Sequence, residues 1–304
     1  MSREISARVV ADSINSQGNR ITTFVVVFPR FILAEFNTHR MFSRNSASSR
    51  ARPFKTMLKD VMETPFIPIA WMAAHKGMQG TAYLNEQEAA EAKKQWLLAR
   101  DKAVASAVEL DRLKVTKQFV NRLLEPFLWH EVIVTATEYG NFFALRAHPD
   151  AEIHICKLAQ QMLQAYNAST PKKLADGEWH IPFGDNIDEA RLSSIIQSRP
   201  TSLSIKAQDA LNDAKMAIAC ARCARISYKT FGSEQDYDYQ ADCKLFQSLV
   251  DGGHMSPLEH CARAMTHDER EKQNNRSGNF TGFIQYRKLF QDENRIDSRV
   301  INKK

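Results

Sequence analysis

The sequence has few cysteines and no long apolar run. Its five cysteines are an odd number spread over 304 residues, which argues against a disulfide framework and favours a reducing compartment. No apolar run reaches the roughly 18 residues that a membrane-spanning helix needs, and the first residues, MSREISARVV, lack the pattern of a secretory signal. The histidines and cysteines show no zinc-binding spacing. We therefore expect a cytoplasmic protein with no membrane segment and no metal site.

Acidic residues are missing from one segment. None lies between Glu35 and Asp60. The same interval carries six basic residues: Arg40, Arg44, Arg50, Arg52, Lys55 and Lys59. The net charge of the whole chain, +6, permits an anionic partner but does not identify one.

The composition is that of a globular protein of mixed structure. Hydrophobic residues make up 43% and charged residues 25% of the chain, which is ordinary for a soluble domain. We find no internal repeat or low-complexity tract. We expect a single α+β domain over residues 1–304, with an irregular loop layer at about 167–204, where Pro, Gly, Ser and Asp are frequent.

The apolar patterning predicts the following elements. Residues 4–12 and 20–28 resemble strands joined by a turn at NSQGN. Residues 131–137 fit a buried strand or an apolar helical turn equally well. Helices are predicted from about Phe31, over 85–113 with Asn85 as the N-cap, from Pro149 to about Tyr166, and over 188–197, 205–226 and 239–250.

The stretch NTHRMFSRNSASSR, residues 37–50, is the first candidate site. It contains one histidine, three arginines and four serines. Serine hydroxyls, backbone N–H groups and guanidinium groups are the donors that a phosphate or pyrophosphate requires. Taken alone, a solvated surface loop explains the stretch equally well.

Two arginines lie in apolar surroundings within the second block, residues 121–154. They are Arg122 in NRLLEP and Arg146 in NFFALR. Such arginines are not expected on a fully exposed face, and a buried guanidinium needs a carboxylate, a carbonyl or an anionic ligand as its partner. The alternative is a structural ion pair with Glu125 or Glu138, which is more credible for Arg122 than for Arg146.

The third block, residues 223–265, contains CARISY and GGHMSPLEH. Two glycines precede His254, and Ser256 with Pro257 and Glu259 has the pattern of a helix cap and first turn. By itself this block indicates no more than a helix N-terminus.

Together these blocks resemble the flavin-dependent thymidylate synthases, known as ThyX. The family signature, Arg-His-Arg, seven residues and Ser, is similar to Thr38-His39-Arg40, MFSRNSA and Ser48, with Arg50 two residues further on. NFFALR resembles the substrate-activating arginine segment, and NRLLEP the segment with a second nucleotide-binding arginine. ARISY and GGHMSPLEH resemble the flavin-contacting segments. The resemblance implies an α+β, ThyX-like fold with an antiparallel sheet and long helices.

The chain departs from the family pattern in two ways. The ARISY and SPLEH block comes last here, whereas the usual member has it first, so the resemblance implies a circular permutation, which needs the original termini to lie close together. At contact positions, Thr38 replaces the first arginine of the signature, Ser46 a glutamate and Glu35 a glutamine. These changes are consistent with the loss of one ion pair, or with an altered substrate.

The resemblance implies reductive one-carbon transfer to dUMP. The carbon would come from methylenetetrahydrofolate, FAD would carry hydride, and NADPH would reduce the flavin. Two alternatives are a flavin- and folate-dependent hydroxymethylase or synthase that acts on another pyrimidine such as dCMP, and a non-catalytic homologue that binds nucleotide or nucleic acid. The family further implies a homotetramer with sites between subunits.

Residue roles follow from the resemblance in the same way. Arg146 would be catalytic. The predicted substrate contacts are Glu35, Thr38, Ser46, Ser48, Ser49, Arg50, Arg122 and Arg146. The predicted cofactor contacts are His39, Arg40, Ser46, Thr135, Thr137, Asn141, Asp150, Ser227, His254, Ser256 and Glu259.

Overall fold

The computed structural model describes residues 3–76, 82–197, 207–227, 238–272, 278–290 and 293. Helices and largely antiparallel strands are mixed along these residues, which confirms the α+β class. The strands are β1 (Ser6–Ile14), β2 (Arg20–Pro29), β3 (Ser43–Ser46), β4 (Trp129–Ala136), β5 (Lys172–Lys173), β6 (Trp179–His180), β7 (Ala262–Ala264) and β8 (Phe283–Gln285). The α-helices are α1 (Leu33–Asn37), α2 (Phe54–Glu63), α3 (Glu86–Arg112), α4 (Lys117–Val120), α5 (Gly140–Arg146), α6 (Ile153–Ala168), α7 (Glu189–Gln197), α8 (Ala207–Arg225), α9 (Tyr239–Asp251) and α10 (His267–Glu271).

The larger sheet has the strand order β3-β4-β2-β1-β5. The β1–β2 hairpin turns at Gly18, whose φ of 82° is favourable only for glycine. β2 pairs with the full length of β4, from Thr22 opposite Ala136 to Pro29 opposite Trp129. Residues 131–136 are therefore in a strand, which decides between the two interpretations of segment 131–137. A second sheet has the order β6-β7-β8.

An aromatic core fills one face of the larger sheet, under α1, α5 and α6. Phe28, Phe36, Phe42 and Phe142 have ring centroids 5.0 to 5.9 Å apart. They fix α1, the turn after it and α5 against the sheet. The candidate residues at 38–40 and Arg146 are therefore held by a rigid core.

The opposite face of the larger sheet is covered by α8 and the smaller sheet. Val25 and Ile133 pack there against Cys223 and Ile226. A buried chain of hydrogen bonds crosses this layer and joins Ser13, His180, Thr23, Thr135 and His260, with donor–acceptor distances of 2.7 to 2.9 Å. Hydrogen bonds thereby link β6 and the residues just before β7 to the strands β1, β2 and β4.

Several predicted boundaries are confirmed and one is wrong. Asn85 caps α3 through a reciprocal pair of bonds with Glu88, as its sequence predicts. α6 begins at Ile153 and not at Pro149, because the carboxylate of Glu152 accepts from the N–H groups of His154 and Ile155 at 2.9 and 3.1 Å. The predicted layer at 167–204 contains β5, β6 and α7, and its residues 198–204 lie outside the described part. No described helix has the length and hydropathy needed to cross a membrane.

Candidate active site

The short strand β3 brings the three candidate blocks together. Asn45 donates from Nδ2 to the carbonyl of Cys223 and to Oγ of Ser227, both at 3.0 Å. Oδ1 of Asn45 accepts from Oγ of Ser256 at 3.3 Å. Segments that are about 180 and 210 residues further along the chain therefore meet residues 43–46 directly. The rotated order of the motifs does not prevent their meeting in space.

Alternation along β3 directs its side chains to two sides. Asn45 lies opposite Ile133 and shares its face, under α8. Arg44 and Ser46 lie opposite Val134 and Val132 and share the face of the aromatic core. The alternative of a solvated loop over residues 37–50 is thus wrong for residues 43–46, because β3 separates the residues around His39 from those around Ser48.

His39 and Arg146 are direct partners. Nε of Arg146 donates to Nε2 of His39 at 3.0 Å, and Nη2 of Arg146 lies 3.5 Å from Oγ1 of Thr38. Rings of Phe42 and Phe142 pack on His39, with centroids 5.8 and 4.8 Å away. Because arginine can only donate, Nε2 is an acceptor and neutral His39 carries its proton on Nδ1.

The charge state of His39 follows from its surroundings. Burial, then the charges of Arg146 and Arg44, lower the pKa of His39 to about 4. At neutral pH the imidazole is uncharged and can accept from Arg146. Arg146 is half-buried, as its apolar sequence predicts, but its partners are Thr38 and His39 and not the ion pair with Glu138 that was the alternative.

Positive charge accumulates next to this pair. Nη1 of Arg44 donates to the carbonyls of Phe36 and His39 at 3.2 and 3.3 Å. Burial, and then the charge of Arg40, lower the pKa of Arg44, while Glu259 raises it. Glu259 is in turn paired with Arg287. Arg40 is exposed and has no ion pair among the described residues. Two guanidinium groups near enough for their charges to interact fit an anionic group such as a diphosphate.

The serines at the other end of β3 have different surroundings. Ser48 and Arg50 are exposed, and Oγ of Ser48 accepts from the backbone N–H of Arg50 at 3.2 Å. Ser49 is buried and its hydroxyl donates to Glu125. Nδ2 of Asn121 fixes the loop by donating to the carbonyls of Ser49 and Arg52 at 2.6 and 3.1 Å. The side chains of Ser48 and Arg50 are thus open to a ligand, whereas the Ser49 hydroxyl is occupied.

The predicted burial of Arg122 is wrong. Its side chain is exposed and lines an open cleft together with Arg30, Glu125 and residues of α1. The apolar neighbours Val120 and Leu124 are buried, but Arg122 lies on the outer side of the 3₁₀ segment Asn121–Phe127. The carboxylate of Glu125 pairs with Arg30, at 3.1 Å, and not with Arg122.

The remaining predicted cofactor residues are divided between exposed and occupied positions. Thr135 is completely buried, and its hydroxyl bonds to Thr23 and His260, which excludes a ligand contact of this hydroxyl in the described conformation. Oγ1 of Thr137 accepts from the backbone N–H of Thr281 at 3.0 Å. Asn141, Asp150 and His254 are exposed. Ser227 is buried against Asn45. Ser256 does not cap a helix, since the 3₁₀ turn Ser256–Glu259 has no side-chain cap.

Sequence reasoning missed several residues that shape the site. Asn279 donates to the carbonyl of Met41 at 2.7 Å, and its Oδ1 accepts from Ser43 and Gln285 at 3.1 and 2.7 Å. Asn279, Gln285 and Arg287 belong to the segment NNRSGNFTGFIQYRK, of which residues 274–277 lie outside the described part. Only the tertiary structure identifies these contacts.

A family model described as "Thymidylate synthase complementing protein" matches residues 20–172. The chain belongs to this family. The matched range contains β2, β3, β4 and the helices that carry Thr38, His39 and Arg146. Segments 223–227 and 254–259 lie outside the matched range. The predicted family is thereby confirmed, and with it a methyltransferase-like enzyme that acts on pyrimidine nucleotides.

The solved structures similar to this chain include two of a UMP/dUMP methylase, PolB, from Streptomyces cacaoi. The structure with 5-Br UMP is 17% identical, covers 55% of this chain and 89% of its own, and gives a TM-score of 0.46. The structure with 5-Br dUMP is 16% identical, covers 55% and 90%, and gives a TM-score of 0.43. A comparison with curated protein sequences gives no significant match.

Proposed function

We propose that this protein is a cytoplasmic FAD-dependent enzyme that transfers one carbon unit to C5 of a pyrimidine deoxynucleotide. The substrate we propose is dUMP and the product is dTMP, with methylenetetrahydrofolate as the carbon donor. Reduced FAD supplies the hydride, and NADPH reduces the flavin. Family membership supports the reaction class, and the position of Arg146 next to His39 is the observation that carries the proposal.

Arg146 is suited to stabilise a charged pyrimidine ring. Its Nε donates to His39, and among the described residues Nη2 makes a single long contact, 3.5 Å to Thr38. The outer face of the guanidinium group therefore remains available for the ring N3 and O2. As N3 loses its proton, this fixed charge stabilises the anion and makes C5 a better nucleophile. Neutral His39 orients Arg146 without competing for the negative charge.

The two ends of β3 supply two separate phosphate sites in this proposal. Arg40 and Arg44 with Ser256 would bind the diphosphate of FAD, since the two guanidinium groups are near enough for the charge of Arg40 to act on Arg44. Ser48 and Arg50, with Arg122 at the neighbouring cleft, would bind the nucleotide phosphate. Asn141, Asp150 and His254 are exposed residues that would contact the remainder of the flavin nucleotide.

One observation favours a second candidate substrate, a cytosine nucleotide. Glu35 stands where the family has a glutamine, and its Oε2 is buried with no hydrogen-bond partner among the described residues. A carboxylate can only accept, whereas a glutamine amide can also donate. Cytosine offers the N4 amino group to such an acceptor and leaves N3 and O2 to accept from Arg146. Uracil offers O4 at the same position, which a carboxylate would repel.

The quaternary structure is part of the proposal. A homotetramer with sites between subunits would place further donors around Arg40 and Arg50, which are exposed in the single chain. Light scattering coupled to size-exclusion chromatography measures this directly. A monomer that binds FAD and turns over dUMP would overturn the assembly without affecting the reaction.

The experiment that tests the function is identification of the product. The FAD-loaded protein is incubated with NADPH, methylenetetrahydrofolate and either dUMP or dCMP, and the nucleotide is analysed by mass spectrometry. Addition of CH₂ to dUMP supports thymidylate synthesis, and addition of CH₂O indicates a hydroxymethylase. Reaction of dCMP alone selects the cytosine substrate. An unchanged mass for both nucleotides overturns the proposed chemistry.

A further inference from the structure

A small cavity lies behind the loop that carries Ser48 and Ser49. β3 ends opposite Val132, so the edge of β4 before this residue is not paired with β3. The cavity opens there, and its polar lining consists of Arg30, Ser48, Ser49, Arg52, His130 and Glu131. His130 is only 3% exposed. Both arginines are paired with carboxylates outside the lining, Arg30 with Glu125 and Arg52 with Asp60.

The proton of His130 can be placed from its partner. Nη1 of Arg30 lies 3.1 Å from Nδ1 of His130 and can only donate, so Nδ1 is the acceptor. Burial, followed by the charges of Arg30 and Arg52, lowers the pKa of His130 to about 3. The ring is therefore neutral at pH 7 and its one proton is on Nε2. This Nε2–H group is buried and has no acceptor among the described residues.

A buried N–H group without an acceptor is rare in folded proteins, and here it belongs to a residue that lines a cavity. The cavity volume is about 20 Å³, slightly above the roughly 10–15 Å³ that one water molecule requires. It therefore has room for a single oxygen atom. The backbone N–H groups of Ser48 and Ser49 likewise have no hydrogen-bond acceptor among the described residues.

We propose that this cavity is the inner end of the nucleotide phosphate site, and that Nε2–H of His130 donates to one phosphate oxygen. The remaining phosphate oxygens would lie outside the cavity, between Ser48 and Arg50. This inference rests on the proposed function for the identity of the nucleotide, but an anion site at His130 does not depend on catalysis. His130 would be a substrate-binding residue contributed by the buried strand β4.

The test compares nucleotide with nucleoside binding. His130→Phe retains a planar ring but removes the donor, whereas His130→Gln places an amide donor near the position of Nε2. Calorimetry should show that His130→Phe weakens dUMP binding about 10- to 100-fold, the range for one hydrogen bond to a charged group. Deoxyuridine, which has no phosphate, should bind both variants and the unchanged protein equally. His130→Gln should recover most of the affinity for dUMP.

Two further measurements separate the possible outcomes. In protein with ¹⁵N-labelled histidine, the Nε2 resonance of His130, assigned by its loss in His130→Phe, should shift on addition of dUMP but not of deoxyuridine. Should no pyrimidine nucleotide bind, inorganic phosphate is the probe, and it should bind the unchanged protein and not His130→Phe. If a folded His130→Phe variant binds dUMP and phosphate as tightly as the unchanged protein does, the cavity holds only water and the inference is overturned.

Discussion

Arg146 and His39 are 107 residues apart in sequence, and Nε of Arg146 donates to Nε2 of His39 at 3.0 Å. The two residues belong to α5 and to the turn after α1, and the rings of Phe42 and Phe142 pack between these elements. Because His39 is neutral at physiological pH, it orients the guanidinium group and leaves its charge intact. The proposed chemistry depends on this arrangement.

Arg146→Ala is expected to remove turnover while the protein remains folded. Loss of a fixed positive group that stabilises a developing anion costs about 100- to 1000-fold in kcat. The measurement is the rate of product formation from dUMP, with circular dichroism to verify folding. Arg146→Lys is the matched control, since it keeps the charge but loses the planar group that donates to His39. Its rate should lie between that of the unchanged protein and that of Arg146→Ala. Full turnover by a folded Arg146→Ala protein would exclude the role given to this residue.

Arg40→Ala and Arg50→Ala should affect different ligands. Each removes a charge-assisted contact worth roughly 1.5–3 kcal/mol, or about 10- to 100-fold in affinity. Arg40→Ala should weaken FAD retention and leave dUMP affinity nearly unchanged, and Arg50→Ala should do the reverse. Fluorescence titration of FAD and calorimetric titration of dUMP measure the two affinities. If both variants bind both ligands as tightly as the unchanged protein, residues 37–50 are not a ligand site.

The substrate base should depend on Glu35. Glu35→Gln supplies an amide that both donates and accepts, so the ratio of dUMP to dCMP turnover should rise by at least about tenfold, the value of one hydrogen bond of ~1.4 kcal/mol. Competition between the two nucleotides in one reaction gives this ratio directly. Glu63→Gln, at an exposed position on α2, serves as the control. An unchanged ratio in the Glu35 variant would mean that its carboxylate does not contact the base.

Stability is expected to fall as the pH decreases below about 6.5. His180 and His260 are completely buried in the chain of hydrogen bonds, and burial lowers the pKa of each to about 3. Between pH 6.5 and about 3 the unfolded chain binds protons that the folded chain does not. The free energy of unfolding therefore decreases with falling pH, by up to about 1.4 kcal/mol per pH unit for each such histidine.

Urea unfolding at pH 7, 5.5 and 4.5 measures this dependence. His180→Gln, even if it lowers stability at pH 7, should reduce the slope with pH, because one buried titrating group is removed. His75→Ala, at an exposed position, should leave the slope unchanged. A free energy of unfolding that is constant over this range would show that the buried histidines do not remain neutral in the folded chain.

Strong local signals in the sequence predict the fold correctly. The β1–β2 hairpin has a glycine turn between two apolar runs, and α3 begins at a complete capping box. β3 could not be predicted, because its four residues, Ser-Arg-Asn-Ser, have no apolar alternation and form a strand only by pairing with β4. The predicted start of α6 at Pro149 is too early, because a glutamate, Glu152, provides the cap.

The candidate site could be predicted only in part. The segments with the short motifs meet at Asn45, but the motifs do not show which side chains are open to a ligand. Thr135 belongs to a matching segment and yet is fully buried, since its strand is covered by the smaller sheet. Arg122 has apolar neighbours and yet is exposed, because a 3₁₀ segment changes the direction of successive side chains. His130 gave no signal, because its partner Arg30 is 100 residues away in sequence.

The most direct test of the central claim is release of tritium from C5 of the substrate. Substitution at C5 must replace the hydrogen there, so FAD-loaded protein with NADPH and methylenetetrahydrofolate should release tritium into water from [5-³H]dUMP, or from [5-³H]dCMP if cytosine is the substrate. Arg146→Ala should release almost none. The account is contradicted if the folded, FAD-loaded protein releases tritium from neither nucleotide.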